Sequence, residues 1–215
     1  MRFERIRVLC LDISGIDGAA YETMYSRASL VRRERADRCL RREDKVRCIA
    51  ADALLRYGLA RAGLPRDMEP QRDGCGKPYF KNAEGFRFNL SHSGRWVVLA
   101  FGGSEVGIDV EQLHMDAGKE NIARRYFTAD EQDYVFEREE GRAERFFRVW
   151  TAKESYLKYK GTGLRVPLDS FSVLTMVRPS FYHWCLEEAC LTLCTTEEEP
   201  VVERVDVESL IRIGT

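Results

Sequence analysis

FRFNLSHSGRWVVLAFGGSEVGIDVE, residues 86–111, carries the signals that decide the fold. Phe86–Leu90 and Trp96–Phe101 are two apolar runs, and Ser93-Gly94-Arg95 lies in the turn between them. That pattern predicts a β-hairpin, with Gly94 free to take positive φ. Gly102-Gly103-Ser104 follows and is the most linker-like tripeptide in the chain. Val106–Glu111 then opens a new strand in which apolar and acidic residues alternate.

Reading outward toward the N-terminus, residues 65–85 are rich in Pro, Gly, Asp and Asn and read as a loop. Asp44–Ala62 is a helix, since Val46, Ile49, Ala50, Ala53, Leu54, Tyr57 and Ala60 recur at spacings of three and four. Gly63 and Pro65 stop it. Tyr21–Arg42 is charged and helical in character, with Leu30 and Val31 as candidate core contacts. Ile6–Ile13 reads as a strand. In the other direction Asn121–Phe127 is a short helix, and Thr128 with Glu131 fits a capping box that opens the next. Phe146–Lys160 is a strong helix stopped at Gly161. Four short strands are expected at Phe171–Met176, Phe181–Leu186, Leu191–Cys194 and Val201–Val205. Each half thus holds strands and one long helix. The expected class is α+β: two similar α+β lobes, residues 1–103 and 104–215, joined near Gly103.

Composition narrows the function classes. Of 215 residues, 44% are hydrophobic and 32% charged, as in ordinary globular domains. No stretch reaches the roughly 20 apolar residues that span a bilayer, and the N-terminus does not read as a signal peptide. Seven cysteines without a CxxC pair imply reduced thiols in a cytoplasmic protein. Charge is nearly balanced, at −1, yet Arg32 to Arg47 holds eight basic residues against four acidic ones. Such a segment suits a multi-phosphate ligand or an acidic protein, or serves only as a solvated helical face. Nucleic acid is the weaker match, because zinc-finger spacing and an RNP-like aromatic motif are both missing. A membrane partner is likewise not expected.

Three constellations could carry chemistry. In Gly107-Ile108-Asp109-Val110-Glu111 the two carboxylates are two apart, so a strand projects them from one face. Side by side they repel unless a cation lies between them, and hard oxygen donors suit Mg²⁺. The alternative is a half-exposed strand with a solvated acidic face. Glu154 and Lys158, four apart in Trp150 to Lys158, share a helix face. They could be a surface ion pair, but Glu154 lies on one stripe with Phe147, Trp150 and Leu157, where an ionised Glu needs a partner. Asn89-Leu90-Ser91-His92-Ser93-Gly94 is dense in hydrogen-bonding groups and suits a phosphate, or is simple turn chemistry.

Taken in order, the motifs Asn89-Leu90-Ser91-His92-Ser93, Gly107-Ile108-Asp109-Val110-Glu111 and Trp150 to Lys158, ending at Gly161 and Gly163, resemble those of the Sfp-type phosphopantetheinyl transferases. The resemblance extends through Pro167 to Ser172 and back to Gly76-Lys77-Pro78, covering roughly residues 30–175. It implies two pseudo-symmetric α+β lobes with coenzyme A in the cleft between them, in a monomer. It further implies that Asp109, Glu111 and Glu154 bind Mg²⁺, and that the phosphopantetheine arm of coenzyme A passes to a serine of an apo acyl or peptidyl carrier protein, releasing 3′,5′-ADP. Glu111, Glu154 or a metal-bound water would take the serine proton, and Lys158 would steady the departing phosphate. His92, Arg32 and Arg35 would hold the 3′-phosphate; Lys77 and Ser91 would line the nucleotide pocket, Arg47 would be a further phosphate contact, and Glu131 would be another acid near the metal. Carrier docking would use residues 115–127 and the helix after them, with Met115, Tyr126 and Phe127 as contacts or as core. Two other readings fit the carboxylates: another Mg²⁺-dependent phosphate-ester or pyrophosphate enzyme, and a non-catalytic coenzyme A-binding module.

Overall fold

The computed structural model describes residues 3–212, so the outermost residues of the two expected lobes, 1–2 and 213–215, lie outside it. The chain is mixed α+β. Its first half runs β1 (Arg7–Asp12), α1 (Gly18–Arg27), α2 (Leu30–Asp37), α3 (Arg42–Arg61), the two-residue strands β2 (Gln71–Arg72) and β3 (Pro78–Tyr79), β4 (Arg87–Ser93) and β5 (Trp96–Gly102). The second half runs β6 (Val106–Gln112), α4 (Ala117–Tyr126), α5 (Ala129–Phe136), α6 (Arg142–Lys160), β7 (Ser180–Leu186), β8 (Ala189–Thr195), β9 (Val201–Val205) and α7 (Val207–Arg212).

One sheet has the order β4-β5-β1-β9 and a second has β6-β8-β7. Alternation along the strands shows how the layers stack. Leu9 and Leu11 of β1, with Val97, Leu99 and Phe101 of β5, pack against Ile49, Leu54 and Leu59 of α3. The intervening Val8, Cys10, Trp96, Val98 and Ala100 face the other way, onto Ile108, Val110, Leu191 and Leu193 of the second sheet. Both faces of β1 and β5 are therefore buried, which is why they read as nearly continuous apolar runs. A third cluster joins Ala123, Phe127, Val135, Phe146, Phe147 and Ala152 of α4–α6 with Cys190 of β8. Helices thus cover the outer face of each sheet, and the sheets meet face to face.

The hairpin, β6, α3, α6 and the Thr128–Glu131 capping box form where expected, and Gly94 takes φ +53°. Other features differ. Tyr21–Arg42 holds two helices, because Ala28 is extended and Ser29 caps α2 by accepting from Arg32 N–H. Leu30 and Val31 are 70% and 71% exposed and are not core contacts. Phe171–Met176 is a turn, not a strand. Fully buried Lys153 accounts for this, since its ammonium donates to the carbonyls of Leu168 and Phe171 at 2.7 Å each. Val201–Val205 does form a strand, but it pairs in parallel with β1 in the first sheet. The last strand of residues 104–215 therefore completes the sheet built by residues 1–103. Among the described residues, no helix is long and apolar enough to cross a membrane.

Candidate active site

Gly107 decides how β6 meets α6. A Cβ at this position would lie 1.9 Å from the Ser155 carbonyl oxygen and 2.3 Å from the Tyr159 amide nitrogen. Only a glycine lets strand and helix backbones approach this closely. The same face of β6 carries Asp109 and Glu111, which line a cavity of about 400 Å³ with Glu154, Lys158, Trp150, Ser91 and His92. Both acidic residues of the strand and the i,i+4 pair of the helix are thus brought together.

Within this cavity Lys158 Nζ donates to Asp109 Oδ1 at 2.6 Å, to Ser91 Oγ at 2.9 Å and to the Ile108 carbonyl at 3.1 Å. Ser91 Oγ donates to Asp109 Oδ1 at 2.9 Å, and Ser93 Oγ to Glu111 Oε2 at 2.7 Å. Asp109 is 4% exposed, and its Oδ2 is buried with no hydrogen-bond partner. Burial raises the Glu154 carboxyl above its ordinary range; the charges of Asp109 and Glu111 add to this and Lys158 opposes it. Burial also raises Glu111, while the Ser93 hydrogen bond holds it down and Asp109 pushes it further up. Mutually repelling carboxylates and an orphaned buried oxygen have an unmet demand for positive charge that one lysine does not fill. These donors fit Mg²⁺, which takes hard oxygen ligands and completes its shell with water and substrate phosphate. Among the described residues, no three His, Cys, Asp or Glu side chains alone are gathered tightly enough to enclose an ion.

A larger cavity of about 600 Å³ shares Leu90 and His92 with the first. It is lined by Arg32 and Arg35 of α2, Arg72 of β2 and His92, with Asp44 and Glu69 as the acids. Partial desolvation lowers the His92 imidazole, and the Arg47, Lys158 and Arg35 cations lower it further. A third cavity of about 210 Å³ shares Glu154 and Lys158 and runs past Leu157, Cys75, Gly76 and Gly161. The space between α1, α3 and α7, about 220 Å³ around Met24, Arg56 and Tyr57, holds none of the predicted site residues.

Several predicted residues are otherwise engaged. Lys77 lines the third cavity, and its Nζ donates to Glu105 Oε2 at 2.7 Å, the Tyr159 carbonyl at 2.9 Å and the Val106 carbonyl at 3.3 Å, tying the end of α6 to the start of β6. Arg47 binds the Gly94 carbonyl at 2.8 Å and pairs with Asp44. Ser91 faces the carboxylates rather than the basic cavity. Glu131 is fully buried against Lys153 at 2.7 Å and also accepts from Val173 N–H at 2.8 Å. It lines none of the cavities around the acidic cluster. Phe127 is 2% exposed and stacked on Phe146, so it is core rather than a docking contact; Met115 packs half-buried beside it, and Tyr126 is 39% exposed. Asn89 and Ser93 stand in the turn motif that the sequence singles out, but sequence reasoning gives them no role of their own. Their signal was available: residues 89, 91 and 93 share one face once β4 is allowed to run to Ser93.

Comparison with known proteins bears on this geometry. Residues 105–202 match the model of the 4′-phosphopantetheinyl transferase superfamily. A Bacillus subtilis 4′-phosphopantetheinyl transferase is 36% identical over 159 residues, 71% of this chain and 68% of that protein. The B. subtilis protein named 4′-phosphopantetheinyl transferase Sfp is 35% identical over 155 residues, with the same shares of 71% and 68%. The transferase HetI of a Nostoc species is 35% identical over 98 residues, 45% of this chain and 41% of that one. With relatives this similar spanning over two thirds of both chains, and the acidic strand inside the region matched, the chain belongs to the 4′-phosphopantetheinyl transferase family, among its Sfp-type members.

Proposed function

We propose that this protein transfers the 4′-phosphopantetheine arm of coenzyme A to a serine of an apo acyl or peptidyl carrier protein, with Mg²⁺, releasing 3′,5′-ADP. The observation that carries the proposal is the convergence of Asp109, Glu111, Glu154 and Lys158 on one cavity that opens into a basic one. Coenzyme A carries phosphate at both ends of its ribose, and the paired cavities offer two separate polar sites for them. Arg32, Arg35 and His92 would hold the 3′-phosphate, and the pyrophosphate would lie over the carboxylates. This puts the nucleotide between two pseudo-symmetric lobes, residues 1–103 and 104–215, with β9 returning to the first.

Asp109, Glu111 and Glu154 would hold the Mg²⁺, which when bound neutralises phosphoryl charge and orients the phosphate for in-line attack. The carrier serine oxygen forms a bond to the β-phosphorus, and the bond from that phosphorus to the ADP oxygen breaks. Phosphoryl transfer depends chiefly on such positioning and charge stabilisation. The serine proton would pass to Glu111 or Glu154, the carboxylates that line the cavity where the serine arrives. Lys158 would leave Asp109 to steady charge on the departing phosphate. We read the protein as a cytoplasmic monomer; its seven free cysteine thiols are in keeping with a reducing compartment.

The test is to incubate the protein with apo carrier proteins, coenzyme A and Mg²⁺ and to weigh the carriers. One phosphopantetheine mass is gained, and Asp109→Ala and Glu154→Ala each abolish the gain in folded protein. Coenzyme A consumed with no gain on any carrier would instead establish a hydrolase.

A further inference from the structure

Strands β4 and β6 belong to different sheets and share no backbone ladder. Three side chains from one face of β4 bridge them. Asn89 Oδ1 accepts from Ile108 N–H at 2.9 Å, Ser91 Oγ donates to Asp109 Oδ1 at 2.9 Å, and Ser93 Oγ donates to Glu111 Oε2 at 2.7 Å. The Ser93 hydroxyl also accepts from Gln112 N–H at 3.2 Å, so its single proton is committed to the Glu111 carboxylate. Ser93 itself is firmly placed. It ends β4 at the hairpin turn, where the Gly94 carbonyl accepts from Arg47 at 2.8 Å. A Cβ on Gly94 would lie 2.0 Å from the Gln112 side chain, so the turn is packed directly against the end of β6.

We propose that Ser93 is a positioning residue for the transfer reaction, locking one oxygen of Glu111 so that the other stays directed to the ligand. Glu111 has three rotatable side-chain bonds, and among the described residues Ser93 is its one hydrogen-bond partner. Asp109 is held differently, by Ser91 and Lys158 together. Loss of the Ser93 hydroxyl therefore falls on Glu111 alone. This inference rests on the reading above that Glu111 serves the metal or takes the proton.

The experiment measures Mn²⁺ binding by electron paramagnetic resonance, with coenzyme A present and carrier absent, alongside steady-state transfer. Ser93→Ala weakens Mn²⁺ binding and lowers kcat by about tenfold each, the range seen when a ligand-orienting hydrogen bond is lost. KM for coenzyme A is unchanged, and Ser93→Thr restores both quantities. In a Glu111→Gln background, Ser93→Ala has less than a twofold further effect. An equal loss in that background, or no loss from Ser93→Ala alone, overturns the positioning role. If Glu111→Gln itself leaves Mn²⁺ binding and turnover at wild-type levels, the assignment of Glu111 falls, and the inference falls with it.

Discussion

Replacing Gly107 by alanine tests the packing that assembles the site. The new methyl would sit 1.9 Å from the Ser155 carbonyl oxygen, 2.3 Å from the Tyr159 nitrogen and 2.9 Å from the Tyr159 Cα, where ordinary contact begins near 3.4 Å. These atoms are helix backbone, so no rotamer change relieves the clash. Helix α6 must move away from β6 by about an ångström or more. Overpacking of this kind costs roughly 1–3 kcal/mol, which lowers Tm by about 2–12 °C in a chain of this size. Function should suffer more. The 2.6 Å contact between Lys158 Nζ and Asp109 Oδ1, and the approach of Glu154 to the strand carboxylates, span this same interface. A displacement near 1 Å at a reacting centre costs about 100-fold in rate. A thermal melt and a mass assay of carrier modification give both numbers. The basic cavity is lined by no residue of α6, so its hold on the 3′-phosphate should change little. A Gly107→Ala protein with wild-type Tm and kcat within threefold of wild type would refute the argument that this glycine sets the strand–helix distance.

Three further outcomes are expected. Glu131→Gln strands the fully buried Lys153 charge and destabilises by about 3–5 kcal/mol, whereas Glu131→Gln with Lys153→Met is milder than Glu131→Gln alone; denaturant unfolding separates the two. Burial holds His183 at about 4 against an ordinary 6.5. The unfolded chain therefore takes up the proton first as pH falls, and stability present above about pH 6.5 is lost toward pH 4, by at most ~3 kcal/mol; His183→Gln should flatten the wild-type slope in that window. Finally, Arg32→Ala should weaken binding of coenzyme A about tenfold or more, as expected for losing a charge-assisted contact, and leave binding of coenzyme A lacking its 3′-phosphate unchanged. Isothermal titration with both ligands decides this, and equal losses would remove Arg32 from the phosphate site.

The tautomer of His183 follows from a short chain of hydroxyls. Thr151 Oγ1 donates to the Phe147 carbonyl at 2.7 Å, so it must accept from Thr192 Oγ1 at 2.6 Å. Thr192 then accepts from His183 Nδ1–H at 2.9 Å. The ring is thus neutral with its proton on Nδ1, and β7, β8 and α6 are linked through three polar side chains. Protonating the second nitrogen adds a charge that nothing in this chain of hydroxyls can balance.

Local periodicity carried much of the architecture. Alternation around Asp109 and Glu111 placed both carboxylates on one strand face, and helical spacing aligned Glu154 with Lys158. What stayed hidden depends on contacts distant in sequence. Residues 171–176 look like a strand, yet the Lys153 ammonium claims the carbonyls of Leu168 and Phe171 just before the turn. Lys77 is expected only to line a nucleotide pocket, yet Glu105, Tyr159 and Val106 supply oxygens that take its protons. Leu30 and Val31 read as core, but α2 turns them outward. Ser93 reads as a turn residue, and its role emerges only when β4 lies against β6. Propensity fixes none of these, because each is decided by what folds against the segment.

The strand β9 has a consequence for the order of events during synthesis. β1 is made well before its partner Val201–Val205, with the other strands of this fold lying between them in sequence. Until β9 arrives, β1 presents a bare edge of alternating Val, Leu and Cys residues, the kind of edge that recruits foreign strands. Arg7 and Arg61 likewise wait for Glu203, which pairs with both. N-terminal segments ordinarily fold as they emerge, but this sheet closes only once residues 201–205 exist. β1 therefore keeps one edge unprotected until residues 201–205 are made, and a stall or truncation before residue 201 would leave a species primed to aggregate although its acidic cluster is already encoded.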